Sequence, residues 1–230
     1  MQENKLLGII KFGEREYLND LFLNGTIYMN TLSYFKKVDQ NPNRRDPREG
    51  ILSIGQVTWV KIISNDGSFE IEMSRDGSKG LTLKSAQVRE EDPNLLGNIY
   101  SMYGITTEWM AKNDRIDPRN ADFGPIAPTM VVVHNPRLFL ERIKAKLQEA
   151  GLRWWQDLVT YYDDEIHEGK LGLFHKPNYF EYQCEIRIFV EYEKDEPLIL
   201  KIGSINDIAN IHRADNLDEV RVSYQEEDPI

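Results

Sequence analysis

Cysteine is almost absent. Cys184 is the single one in 230 residues, so no internal disulfide can staple the fold, and a thiolate-rich structural zinc is excluded. Histidine is scarce too: His134, His167, His175 and His212 contain no i, i+4 pair and no HExxH, which removes the common zinc-hydrolase arrangement. No stretch approaches the roughly 18 consecutive apolar residues of a membrane-spanning helix, and the residues before Lys11 do not form a secretory signal. The expectation is a reducing, cytoplasmic location with no membrane partner. There is no GxGxxG, no GxxxxGK[ST] and no GxSxG, so Rossmann, P-loop and nucleophile-elbow chemistry have no footing. Positive charge is also short. Lys and Arg number 28 against 38 Asp and Glu, for a net charge of -10. Diffuse attraction to a nucleic acid or an anionic membrane is therefore not expected, although a local basic patch remains compatible with this balance.

What is present describes a folded, soluble chain of one substantial core: 40% apolar and 29% charged residues. Residues 6–12 read as a strand and 14–23 as a helix stopped by Gly25. Residues 26–29 read as a second strand. Residues 38–49 are polar and proline-bearing and form a long loop. Residues 51–63 and 69–73 read as a hairpin around Asn65-Asp66-Gly67. Further strands are expected at 81–88, 99–106 and 130–133, with a loop at 111–125. Asn135-Pro136 opens the clearest helix, with Phe139, Ile143 and Leu147 on one stripe and Gly151 as its stop. Extended segments at 155–161, 171–175, 180–192, 198–202 and 220–224 and a short helix at 204–211 complete the chain. No internal repeat and no low-complexity tract is apparent. Some nine strands and three short helices, with few βαβ units, predict a single α+β domain over 1–230 built on mixed or antiparallel sheets.

The segment 180–190 alternates with period two. Tyr182, Cys184, Ile186, Ile188 and Val190 share one side; Glu181, Gln183, Glu185 and Arg187 share the other. Such a polar side suits the floor of an active site, and it equally suits a solvated strand face. Cys184, on the apolar side, reads as a buried, unreactive thiol. Near the N-terminus, Lys11 and Gly13 end a strand where the glycine permits close backbone approach. Thr31 and Ser33 offer hydroxyls. Tyr34 and Phe35 offer ring faces for a flat heterocycle, or a core aromatic pair. Arg44, Arg45 and Arg48 carry forked donors suited to phosphate, in a loop whose mixed charges also neutralise one another. Asp163, Asp164, Glu165 and Glu168 form an acidic cluster that reads as a magnesium site or, more simply, as a solvated turn.

Together these features resemble the ADP-ribosyltransferase superfamily. Gln183-Cys184-Glu185 matches its (Q/E)-x-E motif, preceded by Glu181, and Asn30-Thr31-Leu32-Ser33 is the nearest match to its Ser-Thr-Ser-like element. The family's first strand usually presents an arginine or histidine; here that region offers Lys11, Gly13 and Arg15. The chain is also similar to small bacterial proteins of phage-defence or toxin–antitoxin settings, through Tyr28-Met29-Asn30, Tyr34-Phe35 and Asp46-Pro47-Arg48-Glu49-Gly50. The resemblance covers residues 10–50 and 170–192. It implies two packed sheets forming a cleft for NAD, which is consumed as a substrate, with no metal. It implies Glu185 as the catalytic carboxylate and Gln183 as the residue that orients the acceptor. It places Lys11, Gly13, Thr31, Ser33, Tyr34, Phe35, Arg44 and Arg45 around the dinucleotide. A nucleic-acid or protein acceptor and a neutralising antitoxin protein are the implied partners. Two rival readings stand beside it. One is a metal-dependent nuclease using Asp163, Asp164 and Glu181 or Glu185. The other is a non-enzymatic phage-sensing or antitoxin-like protein acting through Trp154 or Trp155.

Overall fold

A strand at the centre of a sheet is covered on both faces, and Asn98–Thr106 is buried along nearly its whole length. The computed structural model describes residues 4–37, 46–79, 81–122, 128–215, 217 and 222–223. In it, Asn98–Thr106 organises an eight-stranded sheet. On one side it pairs antiparallel with Glu185–Val190, which in turn pairs with Trp154–Leu158. On the other side its second half pairs with Leu6–Gly13, followed outward by Thr129–Val133 and Ala209–Arg213, all antiparallel. The first residues of that same side pair instead with Thr26–Thr31, through Asn30 opposite Ile99 and Thr31 opposite Asn98. Thr26–Thr31 then pairs with Leu198–Lys201. Leu6–Gly13 and Thr26–Thr31 therefore leave one strand in different directions. Between them, residues 100–102 have no ladder partner on that side.

The helices cover the sheet by their apolar stripes. In Pro136–Glu149 the Asn135 side chain accepts from the Leu138 N–H at 3.1 Å, and Pro136 occupies the first turn. Phe139, Ile143 and Leu147 are at most 1% exposed, and each such side chain stabilises by about 1.5–3 kcal/mol. Arg15–Asn24 buries Leu18 and Leu21 and ends at Gly25, whose positive φ of 64° lets its N–H reach the last carbonyls. Both helices pack on the face carrying Ile9, Val131, Val133, Ile186, Ile188 and Val190. The opposite face holds a second cluster around Ile10, Tyr103, Ile105, Trp109 and Met130. The fold is thus mixed α+β, mostly antiparallel, with few and short helices.

Several expectations are corrected. Residues 180–190 are not one strand: Asn178–Gln183 is a 3-10 helix, Cys184 has a left-handed φ of 40°, and the strand begins at Glu185. Cys184 accordingly packs with the second cluster rather than beside Ile186. Residues 204–211 are not a helix; a turn leads into the strand Ala209–Arg213, because pairing with Thr129–Val133 outweighs a local helical spacing. The 111–125 region is not a plain loop, since it begins in the helix Thr107–Lys112 and includes the 3-10 turn Pro118–Ala121. The stretches 51–63, 81–88 and 155–161 are each broken, and the described residues contain sixteen strand segments, four α-helices and two 3-10 helices. Most of 220–224 lies outside the described residues. A short repeat is also present. Ser64-Asn65-Asp66-Gly67-Ser68 and Ser74-Arg75-Asp76-Gly77-Ser78 form matching turns, each aspartate accepting from the serine before and the serine after it at 2.7 Å.

Candidate functional site

The divergence of two strands from one creates a hollow. A cleft of about 1260 Å³ opens beside residues 99–103, with walls from Leu6–Gly13, Thr26–Thr31 and the helices Arg15–Asn24 and Leu32–Lys37. The unpaired stretch of the central strand still needs its backbone groups satisfied. Lys11 does part of this: its Nζ donates to the Ser101 carbonyl at 2.7 Å and lies 4.7 Å from the centre of the Tyr100 ring.

At the inner wall sits a buried charge network. Glu185 is 4% exposed and Arg187 0%, so the polar side of this strand faces protein, and the solvated-strand reading does not hold. Glu185 Oε1 accepts from Arg187 Nε at 2.7 Å and from Ser101 Oγ at 2.5 Å; its Oε2 accepts from Lys176 Nζ at 2.7 Å. Its own backbone N–H donates to the Tyr161 hydroxyl at 2.9 Å. Arg187 spends its remaining donors on Glu49 and on the Leu173 carbonyl. Burial alone raises the Glu185 pKa, but the adjacent Arg187 and Lys176 charges override it and hold the carboxyl well below the usual range. Glu185 is therefore an anion at neutral pH.

Gln183 and Glu185 meet by a route that strand geometry does not supply. The left-handed residue Cys184 turns the chain from the 3-10 helix into the strand, a backbone conformation unusual for a residue with a Cβ. The result is that Lys176 Nζ, 2.7 Å from Glu185, also donates to Gln183 Oε1 at 3.0 Å. The Phe180 ring centre lies 5.2 Å from the same ammonium. Sequence reasoning missed Lys176 entirely. Standing between His175 and Pro177 on a three-residue strand, it belongs to no motif. Ser101, Tyr161, Glu49 and Asp195 were missed as site residues for the same reason, although Glu49 lay in a quoted loop.

Lys11, Gly13, Thr31, Ser33, Tyr34, Phe35, Gln183 and Glu185 all line this one cleft. Tyr34 is 40% exposed and meets Phe35 edge-on, with ring centres 5.4 Å apart. Phe35 also packs on the small cluster of Leu32, Ile99 and Phe189, so it serves core and cleft at once. Arg44 and Arg45 lie outside the described residues. Arg48 does not reach the cleft; it pairs with Asp164. Glu181 stands on the 3-10 helix rather than beside Glu185 on a strand. Asp163 accepts from the Glu165 N–H at 2.9 Å and so caps its own turn. No group of three or more His, Cys, Asp or Glu able to hold a metal exists among the described residues. Trp154 packs against the main core, whereas Trp155 is 47% exposed. None of the described helices is long and apolar enough to cross a membrane.

No protein-family model, no curated protein and no solved structure matches the chain.

Proposed function

We propose that this chain is an NAD-dependent ADP-ribosyltransferase, an effector whose donor cleft lies where Leu6–Gly13 and Thr26–Thr31 part from the central strand. The observation that carries the reading is the Gln183–Lys176–Glu185 cluster in the wall of a cleft that also gathers Thr31, Ser33, Tyr34 and Phe35. The cleft residues suit a dinucleotide. At about 1260 Å³ the cleft exceeds ordinary small-molecule pockets, which run to about 1,000 Å³. Lys11 offers a cation to a pyrophosphate, and Tyr34 offers a half-exposed ring for a flat base.

NAD supplies the ADP-ribosyl unit when its nicotinamide–ribose bond breaks. Glu185 accepts a ribose hydroxyl and stabilises positive charge at the anomeric carbon, a role that requires an anion. Arg187 fixes its position from the buried side. Lys176 keeps it ionised but also offsets its field, so the stabilisation available depends on how far that ammonium moves as the cleft fills. Gln183 hydrogen-bonds the incoming acceptor, a nucleic-acid base or a protein side chain.

The test is Glu185→Gln, which keeps shape and removes charge. Nicotinamide release should fall by at least 100-fold, in line with losing one group that acts on transition-state charge, while calorimetry still registers NAD binding. Turnover at the native rate in that variant would end the assignment.

A further inference from the structure

Asp195 lines the same cleft from the segment that follows Glu185–Val190. It is exposed and anchored by a hydroxyl. Ser33 Oγ donates to Asp195 Oδ1 at 2.5 Å, and the Thr31 hydroxyl lies 2.9 Å from Ser33 Oγ. Thr31 Oγ1 in turn accepts from the Tyr34 N–H at 3.1 Å, tying the group to the start of Leu32–Lys37. The buried side chain of Asn98 holds the next residue as well, donating to the Glu196 carbonyl at 2.9 Å. Among the described residues Asp195 makes no ion pair within contact distance, although the nearby Lys37 charge acts on it.

The central strand separates the anchor points of the two carboxylates. Thr31 stands opposite Asn98, whereas the Glu185 carboxylate is hydrogen-bonded to Ser101. Three residues of strand separate those positions, about 10 Å at the usual rise. One cleft thus carries an exposed anion and hydroxyls toward one end and the buried Glu185 toward the other. A dinucleotide has two riboses joined through a pyrophosphate. If one ribose meets Glu185, the second falls toward Thr31, Ser33 and Asp195.

We propose that Asp195 makes this site selective for NAD over its 2′-phosphorylated counterpart, NADP. A carboxylate accepts hydrogen bonds from a vicinal ribose diol and repels a 2′-phosphate, the same charge logic by which Rossmann sites use an acidic residue for NAD and an arginine for NADP. Lys37, also on the cleft, is offset by Asp195 and becomes available to a phosphate once that charge is removed.

The proposal rests on the NAD reading, and the experiment separates the two. Calorimetry on the full chain with NAD and with NADP should show the native protein preferring NAD by at least ten-fold. Asp195→Asn, which retains a hydrogen-bond acceptor for Ser33, should narrow that preference at least ten-fold, chiefly by tightening NADP. Equal binding of both by the native chain overturns the proposal alone, as does an unchanged preference in Asp195→Asn. Failure of the native chain to bind either dinucleotide overturns the NAD reading and this proposal together.

Discussion

Lys176 and Glu185 form an ion pair of 2.7 Å with only 7% and 4% of their surfaces exposed, in the wall of a cleft. Two charges removed this far from water are costly unless each is fully hydrogen-bonded. Here the carboxylate has Ser101, Lys176 and Arg187, and the ammonium has Glu185 and Gln183. Lys176 therefore positions the Glu185 carboxylate, the group proposed above to act on the ribose, and several consequences are measurable.

Lys176→Met removes one of the two cations that hold Glu185 ionised. Burial then weighs more heavily, and the Glu185 pKa rises. In the proposed transferase chemistry the anionic form is the active one, so the acid limb of the pH profile for nicotinamide release should move to higher pH. An acid limb at its native position would show that Arg187 alone sets the protonation of Glu185.

Arg187→Met leaves Glu49 and Glu185 buried without their shared counter-ion. Stability should fall by about 3–5 kcal/mol, read from urea unfolding at neutral pH. Adding Glu49→Gln to that variant should recover part of the loss, since one uncompensated charge is then gone. A double variant no more stable than Arg187→Met would contradict this account of the network.

Asp46 is 1% exposed, and among the described residues its Oδ2 has no hydrogen-bond partner. Burial raises its pKa, against the opposing charges of Lys176 and Arg187. A carboxyl raised in the folded state binds its proton more tightly there than in the unfolded chain, so its contribution to stability declines as pH rises through the window above the ordinary aspartate value. Asp46→Asn does not titrate. Its stability relative to the native chain should therefore increase from pH 4 to pH 8 in thermal or urea unfolding. A constant difference across that range would place the folded pKa at its ordinary value.

Gly25 has φ 64°, and a Cβ there would lie 1.8 Å from the Gly203 carbonyl oxygen. That neighbour is backbone and cannot swing aside. Gly25→Ala should cost about 3 kcal/mol or more, combining left-handed strain with overpacking. Gly151, with φ 67° and open space around its Cβ, isolates the strain alone, so Gly151→Ala should cost only about 1–2 kcal/mol. Equal losses at the two positions, measured by chemical denaturation, would remove the steric part of the argument.

How much of this was legible in the sequence differs from element to element. Pro136–Glu149 was readable because its cap, its first-turn proline and its apolar stripe all agree. Arg15–Asn24 was readable for the same reason, with Gly25 as its stop. The alternation at 180–190 misled because a period-two pattern carries no sign of a left-handed residue at Cys184; the polar spacing persists while the chain changes direction. Ile205, Ile208 and Ala209 imitate a helix stripe, yet all three are buried through turn and strand.

The candidate residues were found by type, since hydroxyls, rings and a glutamine-x-glutamate pair are visible in any sequence. Their meeting was not. It depends on Leu6–Gly13 and Thr26–Thr31 parting from the same strand, and on Lys176 arriving from a separate short strand to join Gln183 to Glu185. The amino-acid order by itself determined the chemistry on offer and the helices whose signals are local. Strand partners, the opening at residues 100–102 and the burial of the charge network were decided by the tertiary structure, because hydrogen bonds and ion pairs between segments far apart in the chain leave no periodicity in either segment alone.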